Sequence, residues 1–184
     1  MLASRADAPP PLPDWAQVTA ARRAHIRRVA LLLDQWARAL AVDAGERARW
    51  LRAAVLHDAL KDAPEEVVAA LAQPRLGPPA LWHGPAAARR AAHEGERDAG
   101  VLDAVRYHSV GYAGWDQVGR MLYLADFLDS GRRFDANQRR LWAARVPADP
   151  MIVLRDVARA RIERGLRKGW PLLPETVEFW NALS

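Results

Sequence analysis

The chain has 184 residues, about half of them apolar, which is enough for one domain with a hydrophobic core. It contains no cysteine, which excludes disulfides and thiolate metal sites and favours a reducing compartment. The net charge is +5, carried almost entirely by arginine, since lysine occurs only at 61 and 168. This charge fits an anionic partner such as a nucleotide or nucleic acid, or simply a GC-rich genome.

Residues 1–14 are rich in alanine and proline, and we expect a disordered N-terminal extension followed by one helical domain at 15–184. The extension lacks the long apolar core of a secretory signal. No later run of about eighteen apolar residues is present to cross a bilayer. We therefore expect a cytoplasmic protein without a membrane partner.

Good helix formers dominate the remaining chain, and no alternating β-branched run predicts a strand, so the predicted fold class is all-α. Apolar periodicity, caps, prolines and glycines place the helices in chain order. Asp43 and Asp116 are the predicted N-caps, and Gly100 is the predicted stop of the fourth helix. The predicted helices span 18–41, 44–60, 64–72, 84–98, 101–109, 117–128, 136–145, 150–168 and 174–183.

The adjacent pair His57-Asp58 lies in an otherwise apolar helix, where both side chains are costly to bury without a partner. A metal ion offsets that cost by binding imidazole nitrogen and carboxylate oxygen. Neighbouring residues on a helix point about 100° apart, yet both can converge on one ion while the carboxylate bridges to a second. The pair therefore indicates a dinuclear metal hydrolase.

Further histidines and one aspartate fall at buried or helix-end positions. His25 and His108 lie on apolar faces, where either could instead be a hydrogen-bonded core histidine. His83 lies just ahead of a helix start, where it could be a cap or a surface residue. Asp126 is the only charge in the apolar segment 121–128 of its helix, which we expect to be central and buried; an arginine partner is the alternative to metal there. His93 lies among charged residues and is predicted to be on the surface.

The resulting order His…His-Asp…His…His…Asp resembles the HD-domain metal-dependent phosphohydrolases. Four segments are similar to the YqeK branch, the bacterial symmetrical dinucleoside tetraphosphate hydrolases, and the resemblance extends over residues 18–183. Two departures are Asp129-Ser130, where that branch commonly has Glu-Pro, and Ser109, where it commonly has threonine. The segments are Leu-His-Asp-Ala-Leu-Lys-Asp at 56–62, Leu-Trp-His-Gly-Pro at 81–85, Arg-Tyr-His-Ser at 106–109 and Tyr-Leu-Ala-Asp-Phe-Leu-Asp-Ser-Gly-Arg at 123–132.

The resemblance implies an HD-domain helical bundle with a dinuclear metal site. His25, His57, Asp58 and Asp126 would hold the first ion. His83, His108 and a bridging Asp58 would hold the second. The resemblance suggests iron, while the ligand types also suit manganese or other divalent or trivalent ions.

The implied reaction is symmetrical hydrolysis of a dinucleoside tetraphosphate, such as diadenosine tetraphosphate, to two nucleoside diphosphates. Asp58 and Lys61 are the predicted catalytic residues, and Lys61, one turn from Asp58, is placed to reach the phosphate; the alternative is a solvated lysine. Arg132 is the second predicted phosphate ligand and Arg133 a poorer candidate. His83, Ser109 and Gly111 complete the predicted substrate site, with Ser109 offering its hydroxyl and Gly111 its backbone N–H.

Two other functions remain open. The same scaffold suits a nucleotidase or another nucleotide phosphohydrolase. A non-catalytic basic helical protein that binds nucleic acid is the alternative of a different class. The arginines do not form one block and no helix-turn-helix signature is present, so a small-molecule nucleotide is the expected partner. A homodimer is left open.

Overall fold

The computed structural model describes residues 9–132 and 134–183. Within these residues the regular secondary structure is helical and no strand forms, which confirms the predicted all-α class. A short 3₁₀ turn at Pro79–Leu81 precedes the fourth helix. The helices are α1 (Ala20–Ala39), α2 (Ala44–Leu56), α3 (Glu65–Leu71), α4 (His83–His93), α5 (Ala99–Tyr107), α6 (Gln117–Leu128), α7 (Ala136–Arg145), α8 (Pro150–Arg167) and α9 (Pro174–Ala182).

Four of these helices begin at a side chain that accepts a hydrogen bond from the backbone of the first turn. Such a cap satisfies an N–H that has no partner within the helix. Asp43 and Asp116 cap α2 and α6, which confirms both predicted N-caps. Thr19 and Asp98 do the same for α1 and α5.

Two predicted helix ends are wrong. The predicted helix 44–60 ends at Leu56, and the chain then turns through His57. The predicted helix 84–98 ends at His93, where Gly95 adopts a positive φ of 104°. Gly100 does not stop that helix but lies within α5; a Cβ there would come within 2.3 Å of Arg49 and Asp116, so the absence of a side chain leaves room for this ion pair.

Helix α6 lies at the centre of the domain, as its apolar sequence predicts. All of its residues except Gln117 and Arg120 are buried, and it contacts α1, α2, α5, α7 and α8. Trp36, Trp50 and Tyr123 are fully buried in the surrounding core. Because α1, α2 and α5 all pack on α6, polar residues at their inner faces come close to Asp126.

Helix α9 closes the domain through Phe179, whose ring meets Trp115 and Tyr123 edge-on at centroid distances of 5.2 Å. At the other end of the chain, Leu12 packs against the main core. Residues 1–8 of the predicted extension lie outside the described residues, and the division of the chain at residue 14 stays a prediction. None of the helices described combines the length and apolarity needed to cross a bilayer.

Candidate metal centre

Five elements bring the six predicted metal ligands together. His25 projects from α1 and Asp126 from α6, whereas the other four residues lie at the ends of α2, α4 and α5. All six side chains are buried. They form two clusters, and within each cluster one ligand atom per residue lies within 4.8 Å of the others. We call His25, His57 and Asp126 the first cluster, and Asp58, His83 and His108 the second cluster.

The carboxylate of Asp58 belongs to the second cluster and lies between the two pairs of histidines, with one oxygen turned toward each pair. Its Oδ2 lies 3.6 Å from Nε2 of both His25 and His57. Its Oδ1 lies 3.2 Å from Nε2 of His83 and 3.5 Å from Nε2 of His108. This arrangement suits a carboxylate that bridges two cations.

Three histidines are oriented by the backbone of their own segment. Nδ1 lies 2.7 Å from the Ala54 carbonyl in His57 and 2.8 Å from the Val105 carbonyl in His108. His83 repeats this arrangement, with Nδ1 3.0 Å from the Ala80 carbonyl three residues earlier. A carbonyl oxygen only accepts, so Nδ1–H donates and the lone pair remains on Nε2, the tautomer that binds a metal.

The Nε2 atoms of each histidine pair face each other closely, at 3.3 Å in the first cluster and 3.2 Å in the second. Two lone pairs at this distance repel unless a proton or a cation lies between them. Imidazole nitrogens with carboxylate oxygens, and no thiolate, match iron, manganese or zinc. The donor set therefore fits two metal ions of this type.

His25 differs from the other three histidines because both of its nitrogens face carboxylates. Nδ1 lies 2.8 Å from Oδ2 of Asp129, and Nε2 lies 3.2 Å from Oδ1 of Asp126. Burial lowers the pKa of His25, but the hydrogen bonds to Asp126 and Asp129 outweigh it and raise the pKa to about 9. Burial without such compensation lowers the pKa of His57 to about 4.

Arginines surround the carboxylates of the centre. Arg132 contacts Asp126, and Nη2 of Arg161 lies 2.7 Å from Oδ2 of the same residue. On the other side, Nη1 of Arg22 lies 2.6 Å from Oδ2 of Asp58. Burial opposes ionisation of Asp126, yet the positive charge of Arg132 and the hydrogen bond from His25 hold its pKa well below the usual range. Asp126 therefore contacts arginines and also belongs to the first cluster, so the two alternatives considered from the sequence do not exclude each other.

Lys61 is half-buried beside the second cluster. Its Nζ donates to the Ala80 carbonyl at 3.0 Å and lies 3.2 Å from Nδ1 of His83. Burial lowers the pKa of this lysine. The ammonium therefore lies behind His83, within the same local network, and its predicted contact with phosphate stays a prediction.

The other two predicted substrate residues differ in placement. The hydroxyl of Ser109 lies 3.1 Å from Nε2 of His108 and lines a cavity next to the centre. The N–H of Gly111 donates to the Tyr107 carbonyl, and a Cβ at Gly111 would come within 2.4 Å of Phe179. This placement favours a packing role for Gly111 and does not favour its predicted contact with phosphate.

Two cavities open onto the centre from different sides. The larger, of about 520 Å³, reaches Asp126 and Ser109, and its wall is largely apolar, with Phe127, Phe134 and Trp170 among its residues. The smaller, of about 230 Å³, reaches His25 and is lined by arginines. These arginines are Arg22, Arg28 and Arg132, the last of which lines both cavities.

Arg22 and Arg161 are site residues that the sequence interpretation missed. Arg22 precedes His25 by three residues and therefore shares its helix face, a spacing that contained the signal. Arg161 lies on α8, far away in the sequence and among many arginines, and no pattern distinguished it. His93 is exposed and belongs to neither cluster, which confirms its predicted surface position.

A protein-family model and two curated relatives match this chain. The family model described as the HD domain matches residues 22–131, more than half of the chain. A Bacillus subtilis protein named symmetrical bis(5'-nucleosyl)-tetraphosphatase is 27% identical over 139 residues, covering 71% of this chain and 74% of its own length. A protein of the same name from Halalkalibacterium halodurans is 28% identical over 104 residues, 56% of this chain and 54% of its own length.

A solved structure has a similar fold. The Clostridium acetobutylicum protein described as a predicted HD superfamily hydrolase involved in NAD metabolism superposes with a TM-score of 0.78. The superposition covers 90% of both chains, at 23% sequence identity. At that identity the likeness shows the fold.

Proposed function

Because this chain belongs to the HD domain family, we propose that it is a metal-dependent phosphohydrolase that cleaves dinucleoside tetraphosphates symmetrically into two nucleoside diphosphates. Diadenosine tetraphosphate is the proposed substrate. The names of the two curated relatives support this substrate class. The candidate metal ligands support the class of reaction, and the two cavities with their arginines support the position of the substrate.

The observation that carries the proposal is the position of Asp58 between two pairs of histidines. Each of its oxygens faces two Nε2 atoms at 3.2–3.6 Å. We propose His25, His57, Asp58 and Asp126 as ligands of one metal ion, and His83, His108 and bridging Asp58 as ligands of a second. The proposed metal is iron, with manganese as the alternative.

Metal ions of this kind, when bound, lower the pKa of water and neutralise charge on phosphate, as phosphoryl transfer requires. The role of the protein is to keep Nε2 unprotonated and directed inward, which the carbonyls of Ala54, Ala80 and Val105 support. Asp58 is the proposed catalytic carboxylate because it contacts both clusters. Its burial keeps bulk water from competing for its oxygens.

The phosphate chain carries about four negative charges, and arginines near the two clusters supply the countercharge. Arg132 lines both cavities, so a phosphate chain that runs from one cavity to the other passes its guanidinium. Arg161 reaches Asp126 from the larger cavity. We propose both as phosphate ligands, with Lys61 and Ser109 on the side of the second cluster.

The larger cavity suits a nucleoside, since about 520 Å³ with aromatic side chains accommodates a base and its ribose. The smaller arginine-lined cavity suits phosphates. We propose that one nucleoside enters the larger cavity and that the phosphate chain extends past the metal centre toward Arg22 and Arg28. Cleavage in the middle of the chain then releases a nucleoside diphosphate on each side.

Product analysis tests the proposal. The protein is loaded separately with Fe²⁺ and Mn²⁺ and incubated with diadenosine tetraphosphate, deoxynucleotides or guanosine tetraphosphate. Two equivalents of ADP per diadenosine tetraphosphate, faster than turnover of any other compound, are expected. Release of inorganic phosphate from deoxynucleotides at a higher rate would favour the nucleotidase alternative. Salt-sensitive nucleic-acid binding without any hydrolysis would favour the non-catalytic alternative. A cytoplasmic location remains a prediction from the sequence, and a homodimer is an alternative that the sequence leaves open.

A further inference from the structure

His25 cannot be oriented in the same way as the other three histidines. His57 and His108 lie at the C-terminal ends of α2 and α5, where carbonyls of the preceding turn are free to accept from Nδ1. His83 begins α4, and its Nδ1 meets the Ala80 carbonyl of the preceding 3₁₀ turn. His25 is the sixth residue of the 20-residue helix α1, where carbonyls accept from the N–H groups one turn later. Its Nδ1 therefore needs a partner from elsewhere in the fold.

Asp129 is that partner. It directly follows α6, is only 2% exposed, and accepts from Nδ1 of His25 at 2.8 Å. Arg28 donates to it twice, from Nε to Oδ1 at 2.6 Å and from Nη2 to Oδ2 at 2.9 Å. The N–H of Gly131 donates to Oδ1 at 3.1 Å. With both oxygens occupied, the carboxylate is fixed in orientation.

We propose that Asp129 is a positioning residue that aims the imidazole of His25 into the first cluster and thereby sets the affinity of that cluster for its metal ion. The proposal rests on the proposed metal centre. Asp129 acts on His25 from the face opposite the cluster, because it contacts Nδ1 while Nε2 faces His57 and Asp126. A carboxylate behind a metal-binding histidine fixes the ring and strengthens its donor nitrogen.

The effect should be confined to the first cluster. Within the described part of the chain, the hydrogen bonds of the Asp129 side chain are with His25, Arg28 and the Gly131 backbone. The histidines of the second cluster have their own backbone acceptors at Ala80 and Val105. Loss of Asp129 should therefore weaken one of two metal sites, a pattern that general unfolding would not produce.

The test uses metal-stripped full-length protein titrated with Mn²⁺, with free Mn²⁺ measured by electron paramagnetic resonance. Wild-type protein is expected to bind two ions per chain. Asp129→Asn keeps the volume but removes the charge, and should lower the affinity of one site about 10- to 100-fold while the other changes little. Asp129→Glu, which restores a carboxylate, should recover most of the lost affinity.

Two further variants keep the test independent of folding. Arg49 and Asp98 form the same kind of paired contact as Arg28 and Asp129, with distances of 2.7 and 3.0 Å, but near the start of α5. Asp98→Asn is therefore the matched control and should bind two Mn²⁺ with unchanged affinity. Arg28→Gln alters a side chain that is 37% exposed, leaves Asp129 in place, and should weaken the same single site to a smaller extent.

The outcomes separate this inference from the proposed function. Two sites of wild-type affinity in both Asp129→Asn and Arg28→Gln would overturn the positioning role and leave the metal centre intact. An equal loss in Asp98→Asn would also overturn it, since the effect would then be one of general stability. Wild-type protein that binds no Mn²⁺ and no Fe²⁺ would instead overturn the proposed metal centre itself.

Discussion

The Nε2 atoms of His25 and His57 lie 3.3 Å apart in a buried pocket. His57 directs its Nδ1 proton to the Ala54 carbonyl, so its Nε2 presents a lone pair to His25. The hydrogen bonds to Asp126 and Asp129 raise the pKa of His25 to about 9, which favours a proton on its Nε2 in the metal-free protein. A metal ion that enters the first cluster must displace that proton, so metal binding and proton release are coupled.

Replacement of Asp58 by alanine should abolish both metal sites at once, because its two oxygens face both clusters. We expect metal affinity and hydrolysis to fall by at least about 100-fold while the far-ultraviolet circular dichroism stays helical. Asp103→Ala, which removes a carboxylate paired with Arg106 on α5, is the matched control and should retain two ions. Full hydrolysis by Asp58→Ala would contradict the proposed centre.

Replacement of Lys61 by methionine should impair substrate binding more than metal binding. The variant keeps the aliphatic stem but loses a charge-assisted contact worth about 1.5–3 kcal/mol, so KM should rise about 10- to 100-fold. The other lysine of the chain, Lys168, is exposed, and Lys168→Met is the control. Steady-state kinetics and metal analysis are measured on both. Loss of one metal ion in Lys61→Met would show that Lys61 acts by orienting His83, its neighbour at 3.2 Å.

The pair Arg49–Asp98 should make stability depend on pH in the acidic range. Hydrogen bonds from Arg49 lower the pKa of Asp98 below its unfolded value of about 3.9. Its contribution is therefore complete above that value and disappears as the pH falls through the lower folded pKa. Asp98→Asn should reduce the free energy of unfolding by about 1–2 kcal/mol at pH 7.

Urea denaturation at several pH values measures this difference between Asp98→Asn and wild type. The gap should narrow as the pH falls from about 5 toward 2.5, since the wild-type carboxyl becomes neutral. A difference in the free energy of unfolding that stays constant over this range would contradict the role of the charged pair. The effect would then come from the cap of α5 alone.

Gly111 and Gly95 provide a comparison between two glycines with similar backbone geometry. Both have positive φ, 94° and 104°, but a Cβ at Gly111 would come within 2.4 Å of Phe179, whereas nothing lies within 4 Å at Gly95. Gly95→Ala should cost about 1–2 kcal/mol from backbone conformation. Gly111→Ala should cost about 1–3 kcal/mol more, because Phe179 must move. Equal losses in urea denaturation would contradict the packing role of Gly111.

The fold was largely predictable from local sequence. Predicted bounds for α7 match the structure, and the caps Asp43 and Asp116 begin the helices assigned to them. These features depend on residues within one or two turns of each other. The early end of the fourth helix was missed because Gly95 was not recognised as the residue with positive φ.

The site was predictable in part. Buried histidines and aspartates are few, so their order along the chain was informative, and they lie together in the structure. Arg161, by contrast, comes from a helix rich in arginine, and only the packing of α8 against α6 selects it. The contact of Asp129 with His25 spans 104 positions in the sequence, beyond the reach of any local pattern.

Three of the four histidines in the centre depend on a hydrogen bond to a carbonyl only three positions upstream. The direction of each imidazole is thus encoded within a single short stretch of polypeptide. Such a stretch is modular: grafted onto the end of a helix in a designed scaffold, it should bring its ring orientation with it. His25 lacks this portability, and a designer who copies it must also copy its distant carboxylate.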